Sequence, residues 1–545
     1  MQSFIAVYGF LDLVLRACLL ATQSIVVGGV AFLAFVISPL GATLGGDEGP
    51  IARRCLRILY WSCWATTFGE LVAGGVLIAM LVGTLQVEVA VAASANAVVA
   101  HFIAAILAGA LALIARRGVG VFPNGRGIAV VLALLLVCAH VGVTHAASRP
   151  DAAELLVASE VVHVLAAAIW LGGIPYFVVT LGMTKDGASR RLVASKFSLI
   201  AMWAVAALIA GGVLMATRYT GSLNALYGTN YGVMIGTKIA LLFGLLCFGA
   251  VNLSTVRKLW RAPSTPIKTL LHFAEVEAGL GFIALFCAAA LATSSLAIDA
   301  GAERTSLTEI SARFEPHWPR FDSPAYAELS AAHISTDRSS GAEAVAASEA
   351  PGARNEADIA WAEINHHFAG VLVVLMGVLA LLEHDQRTAP VVRHWPLLFL
   401  LLAGILVIRA DENAWPLGPV GFFESLRDPQ ITQHKLIIVL IAAFAIFEWR
   451  VRLKRFKADW LAFIFPLITG ASAAFLLTHY GHTDGKGEVL IAISHTPVAL
   501  LGIVAASARW LEIRLEGQPA ARIGGLVWPA AFILSGILLL LYREA

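Results

Sequence analysis

Residues 197–217 read FSLIAMWAVAALIAGGVLMAT, an uncharged apolar run closed by Lys196 on one side and Arg218 on the other. A bilayer core of about 30 Å is crossed by roughly 20 residues rising about 1.5 Å each, so this run is one membrane-spanning helix. The same ruler finds about eight spans in the first half of the chain. They lie at Ala17–Ser38, Ile58–Gln86, Val89–Ala115, Gly127–Ser148, Leu155–Thr184, Phe197–Thr217, Asn230–Val256 and Thr269–Ile298. About six more follow, at Ile364–Leu382, Trp395–Ile408, Pro429–Trp449, Trp460–Thr483, Val489–Ala508 and Ile523–Tyr542. The eleventh of these is expected to snorkel Lys435 and Glu448 at its ends. The predicted fold is an all-α polytopic bundle of about fourteen spans.

Composition agrees with that reading. Of 545 residues, 59% are hydrophobic and 14% charged, and the mean hydropathy is +0.80. A water-soluble surface carries roughly 25% charged residues, so soluble enzyme classes are excluded. The 38 Lys+Arg and 36 Asp+Glu leave a net charge of +2, which excludes a nucleic-acid binder. Cys18, Cys55, Cys63, Cys138, Cys247 and Cys287 form no CxxC and sit in or beside apolar runs, where they act as small hydrophobes. No Walker A, GxGxxG, HExxH, nucleophile elbow or CxxCH motif occurs. The first residues lack the basic n-region of a cleavable signal peptide.

Basic residues collect in every second connection: Arg53, Arg54 and Arg57; Arg116, Arg117 and Arg126; Lys185, Arg190, Arg191 and Lys196; Arg257, Lys258, Arg261 and Lys268; and Arg450, Arg452, Lys454, Arg455 and Lys457. The positive-inside rule makes these connections cytoplasmic and puts both termini outside. Three regions are predicted: an eight-span domain at 1–298, an acidic linker at 299–361 and a six-span domain at 362–545. The linker is rich in Ala, Ser, Glu and Pro and cannot bury much apolar surface, so it is read as flexible or lightly folded and external. Its His317 and His333 are read as solvated.

Of 15 histidines, nine fall near the outer ends of spans: His140, His145, His163, His366, His367, His434, His479, His482 and His495. His272, His384 and His394 sit at the opposite ends, and His101 lies near mid-membrane. A one-sided set of imidazoles is what a metal or cofactor site facing the outer compartment produces. Cross-helix hydrogen bonding that merely stabilises packing is the competing reading for any single histidine. His140 and His163 lie at matched depth on adjacent spans. Glu160 shares the face of His163, as a ligand or as the partner that fixes its tautomer. His366, His367, His434, His479, His482 and His495 are expected to converge in the second domain, with Asp484 and Glu488 attracting a cation. Glu70, Lys238, Glu275 and Glu277 are costly in hydrocarbon and should face the bundle interior. Met80, Met215 and Met234 fall at outer span ends, where packing is the simpler role.

Several stretches read as a known family. They are His163–Ile174 (HVLAAAIWLGGI), Phe197–Leu214, Tyr231–Asn252 (YGVMIGTKIALLFGLLCFGAVN) and Ala274–Leu280 (AEVEAGL). Together they resemble the CopD family, bacterial inner-membrane proteins associated with copper resistance and copper uptake, over a core of about residues 130–298. The second domain resembles the extra module of longer members at Ala360–Gly370, Ala414–Gln433, His434, Phe447–Arg452, Leu477–Tyr480 and Ser494–Ala508. The resemblance implies a multi-pass inner-membrane protein with periplasmic termini and a periplasmic linker, moving or handling copper, with no enzymatic activity. Its partners would be the bilayer, copper ion and a periplasmic copper-binding protein. The Met-rich motifs of a high-flux Cu(I) channel are absent. Two other readings stand beside transport: a redox protein holding haem b between paired histidines (His140 with His163, or His479 with His495), and a factor that delivers copper to another membrane enzyme.

Overall fold

The computed structural model describes residues 2–118, 122–142, 144, 153–262, 265–299, 304–329, 355–412, 414–426, 429–478 and 485–544. These form two compact units, Tyr8–Gly301 and Ala302–Ala545. The architecture is all-α, with no β-strand among the described residues. Eleven helices there are long and apolar enough to cross a membrane. Phe68, Ile106, Trp203 and Phe243 point outward from them. Such side chains have hydrocarbon as their natural solvent, and helices satisfy their own backbone there. The chain is a multi-pass membrane protein.

The first unit holds α1 (Gln2–Phe32), α2 (Glu48–Leu85), α3 (Asn96–Arg116), α4 (Phe122–Val141), α5 (Ala153–Leu171), α6 (Ile174–Met183), α7 (Gly187–Thr220), α8 (Asn230–Arg261) and α9 (Lys268–Thr293). One of the eleven apolar stretches, Tyr8–Leu85, runs through 78 residues, far more than one crossing needs. It is interrupted by a π turn at Leu33–Ile37 and a 3₁₀ turn at Gly45–Asp47, where Gly45 has φ of 53°. Expected spans one and two therefore follow each other almost without a loop. The fourth expected span appears as the shorter apolar helix Gly125–Val141.

The expected fifth span, Leu155–Thr184, is broken into α5 and α6 at Gly172–Gly173. Pro175 supplies no amide and disfavours helix before it, and the glycine pair offers no resistance. The break sits where α1 comes closest: a Cβ on Gly172 would stand 1.7 Å from Ser24 O. Tyr176 then donates to Ile25 O at 3.0 Å, and Phe32, Tyr176, Phe177 and Phe197 pack ring against ring. Because the obstacle is backbone, Gly172→Val must push α1 away. The expected cost is about 3 kcal/mol or more, read as a lower unfolding temperature of the full-length protein in detergent; an unchanged midpoint refutes the close crossing.

Helices α5, α7, α8 and α9 pack side by side in this unit. Ile298 N–H donates to Tyr219 O at 3.0 Å, joining the ends of α7 and α9, and Trp260 Nε1 donates to Ser195 Oγ, joining α8 to the start of α7. Helix α8 thus runs antiparallel to α7, and α9 runs parallel to α7. Lys185, Arg190, Arg191, Lys258, Arg261 and Lys268 gather at one end, here called the basic end.

The second unit holds α10 (Leu307–Arg313), α11 (Glu356–Leu382), α12 (Leu398–Arg409), α13 (Pro429–Arg452), α14 (Ile464–Leu476), α15 (Lys486–Arg514) and α16 (Pro519–Leu540). Its core packs Met376, Trp395, Phe465, Ala505 and Trp528 together. Glu448, expected to snorkel, is instead 1% exposed and bonded to Arg452. A charged pair inside the bundle replaces a charge reaching for water. Residues 304–329 of the predicted linker are lightly folded onto this unit. Ser306 and Glu309 cap α10 reciprocally. The Ser306 backbone N–H and hydroxyl, then Lys486, hold the Glu309 carboxyl down to about 2.

Candidate functional site

His163 lies ten residues into α5, about 15 Å from its start. Its Nδ1 lies 2.8 Å from Leu208 O of α7. A carbonyl only accepts, so Nδ1 carries the proton and the lone pair is on Nε2. This is the tautomer that a metal-ligating imidazole adopts when its other nitrogen is held by backbone. Room for the ring comes from the opposite helix, because a Cβ on Gly212 would lie 3.1 Å from His163 Cε1.

Glu160, one turn earlier, accepts from Thr144 Oγ1 at 2.6 Å and lies within electrostatic range of Lys238 on α8. Lys238 is also within range of His163, and Cys287 of α9 is within range of Lys238. Glu160 is therefore placed against Thr144 and Lys238 rather than against the imidazole. His140, the expected partner of His163, has Glu70, Arg16 and His101 as its charged neighbours.

Nearer the basic end, Glu277 of α9 is 6% exposed. It accepts from Trp170 Nε1 of α5 at 2.8 Å and from Asn252 Nδ2 of α8 at 2.7 Å. Glu277, Asn252, Trp170, Phe177, Phe197 and Met202 line a cavity of about 280 Å³. Asn252 Oδ1 is buried there without a hydrogen-bond partner. A carboxyl group, an unpaired amide oxygen and a thioether line the same cavity, a donor set suited to a cation. Trp170 follows His163 by seven residues on the same helix, so this cavity lies about 10 Å along the bundle from the imidazole.

Residues 191–291, which run from α7 to α9, match the family model described as copper resistance protein D, CopD. That segment, 101 of the 545 residues, is similar to CopD. The matched family is one of copper resistance proteins, and the match supports a copper-resistance-related membrane protein. No curated protein and no solved structure matches the chain. The CopD match takes in Leu208, Gly212, Lys238, Asn252, Glu277 and Cys287, and stops short of Glu160 and His163. It lies wholly inside the first unit.

In the second unit the six predicted histidines have different fates. His479 and His482 lie outside the described residues, as does His145 of the first unit. His366 and His495 come together, ring centroids 5.6 Å apart, and His366 stacks on Tyr542 at 3.8 Å. Their Nδ1 atoms lie 2.8 Å from Ala362 O and 2.9 Å from Ile491 O, so both rings carry the lone pair on Nε2. His434 turns its Nδ1 to Asp411 at 2.7 Å. His367 is fully buried, with Nε2 3.1 Å from Tyr542 O and Nδ1 2.9 Å from Arg320 O and 3.0 Å from Arg320 N. Both nitrogens are occupied by backbone, which makes His367 a pin between α11, the 304–329 segment and the C-terminal segment. Among the described residues no group of three His, Cys, Asp or Glu side chains is arranged to hold a metal ion.

Sequence reasoning passed over the seat of His163 and underweighted Glu277. Leu208 is an ordinary apolar residue in sequence, and its carbonyl acts only through the facing of two helices. Trp170 and Asn252, by contrast, are the polar-capable residues of the stretches His163–Ile174 and Tyr231–Asn252, and could have been paired with Glu277.

Proposed function

We propose that this protein takes copper from the outer compartment of a bacterial inner membrane and passes it inward through α5, α7, α8 and α9. One observation carries the reading: an imidazole fixed with its Nε2 lone pair available lies on the same helix as an acceptor-lined cavity about 10 Å further along. The positive-inside rule assigns the basic end to the cytoplasm. His163 then faces the periplasmic half, both termini and the 299–361 linker are periplasmic, and Glu277 lies in the cytoplasmic half. Imidazole suits copper at entry, and Met202 with the two oxygens offers mixed coordination below it. His366 and His495 serve as a second capture pair in the six-span domain, reached by a periplasmic copper-binding protein. Lys238 beside Glu160 keeps the entry from holding a cation too tightly, as a conduit requires.

The test is copper accumulation in copper-limited cells producing the full chain. His163→Ala should lower uptake roughly tenfold, the loss of about 1.4 kcal/mol of copper binding, at unchanged abundance in the membrane. Parent-level uptake with normal abundance refutes the entry site. A Soret band in the purified protein would instead favour a haem protein.

A further inference from the structure

Away from this route, and outside the residues that match CopD, a second polar group is buried in the first unit. Glu70 of α2 is 3% exposed. Gln23 Nε2 of α1 donates to its Oε1, and His101 Nδ1 of α3 lies 2.6 Å from its Oε2. His140 of α4 is within electrostatic range of Glu70 and His101, and of Arg16 of α1. A carboxyl group in this position is expensive in hydrocarbon, and the usual structural remedy is a hydrogen-bonded Arg or Lys. Among the described residues no Arg or Lys is hydrogen-bonded to it.

The geometry points to a proton-binding site formed by Glu70 and His101, separate from the copper route. Each partner suits both states of such a site. Gln23 donates to Oε1 whether Glu70 is a carboxylate or an acid, because the carbonyl oxygen of an acid still accepts. The Oε2–Nδ1 contact also survives a change of state. With a carboxylate, Nδ1–H donates to Oε2; with an acid, Oε2–H donates to Nδ1. A proton arriving at Nε2 of a neutral His101 that carries Nδ1–H makes an imidazolium, and passage of the Nδ1 proton to Oε2 leaves a carboxylic acid beside a neutral Nε2–H imidazole. One proton has entered and the pair has gained one positive charge. The reverse steps release it. His101 is five residues from the start of α3, about 7.5 Å along it, and its side chain is 23% exposed against 3% for Glu70, so it is the member of the pair open to exchange. Intramembrane carboxylate–histidine pairs of this kind are suited to moving protons rather than to holding helices together.

Infrared difference spectra of the full-length protein in lipid, recorded between about pH 5 and about pH 9, test this across the range in which such groups titrate. A carboxylic-acid signal should titrate in the parent and vanish in Glu70→Gln. His101→Gln should move its midpoint by about one pH unit or more. His163→Ala should leave it unchanged, which keeps the outcome independent of the copper reading. A titrating signal that persists in Glu70→Gln overturns the proposal, as does the absence of any such signal in the parent. If Glu70→Gln does not fold, His101→Gln decides: a moved midpoint supports the site and an unmoved one overturns it.

Discussion

Glu277→Ala is expected to abolish copper passage and to destabilise the first unit by about 3 kcal/mol, whereas Glu277→Gln should abolish passage at a cost of about 1 kcal/mol or less. The carboxyl group accepts from Trp170 Nε1 at 2.8 Å and from Asn252 Nδ2 at 2.7 Å. Alanine leaves both donors buried and unpaired, and each such loss costs about 1–3 kcal/mol. Glutamine keeps an oxygen for Trp170 and turns an amide N–H towards Asn252. Asn252 can answer by flipping, since its Oδ1 has no other partner. The glutamine variant thus separates the charge from the packing. Unfolding midpoints in detergent and copper accumulation in cells read the two effects. Parent-level copper uptake in a stable Glu277→Gln protein would remove the carboxylate from the route.

In the second unit the largest expected loss follows from Arg452→Met, about 3–5 kcal/mol. Arg452 donates to Glu448 Oε1 at 2.8 Å and also to Glu383. Its guanidinium lies 4.6 Å from the Trp395 ring centroid and 5.5 Å from that of Trp528. Trp395 Nε1 donates to the same Glu383 oxygen at 3.0 Å. Methionine fills the volume but abandons two carboxylates, one of them 1% exposed. Arg452→Lys should recover little, because a single ammonium cannot reach both carboxylates and stack between the rings. Trp395 and Trp528 report unfolding by their own fluorescence. A change below about 1 kcal/mol would mean that the cluster sits in water.

Spanning helices were legible because the signal is local: some 20 apolar residues must cross hydrocarbon wherever the rest of the chain goes. The break at Gly172–Gly173 escaped because GGIP is as apolar as its surroundings, and hydropathy does not register backbone conformation. Depth along a helix can be counted, so the level of His163 was legible. The direction a residue faces around the axis depends on packing, so its partners were not. His140 matches His163 in depth yet turns to the Glu70 side. His366 and His367 stand about 100° apart on one helix and cannot aim at one point. One faces His495, and the other is consumed by Arg320 and Tyr542. Glu448 was misjudged for a related reason: a charge near a helix end looks the same in sequence whether water or Arg452 receives it.

The junction of α5 and α6 has a mechanical consequence. Gly172 rests against Ser24 with no space to spare, so the chain is held there as at a fulcrum. Trp170 belongs to one arm of the lever, Ile174 and Phe177 to the other, and all three line the same cavity. His163 rides on the first arm alone. Substitutions along the α6 arm can therefore reshape the lower chamber while leaving the seat of the imidazole untouched, which makes entry affinity and chamber selectivity two separately adjustable properties.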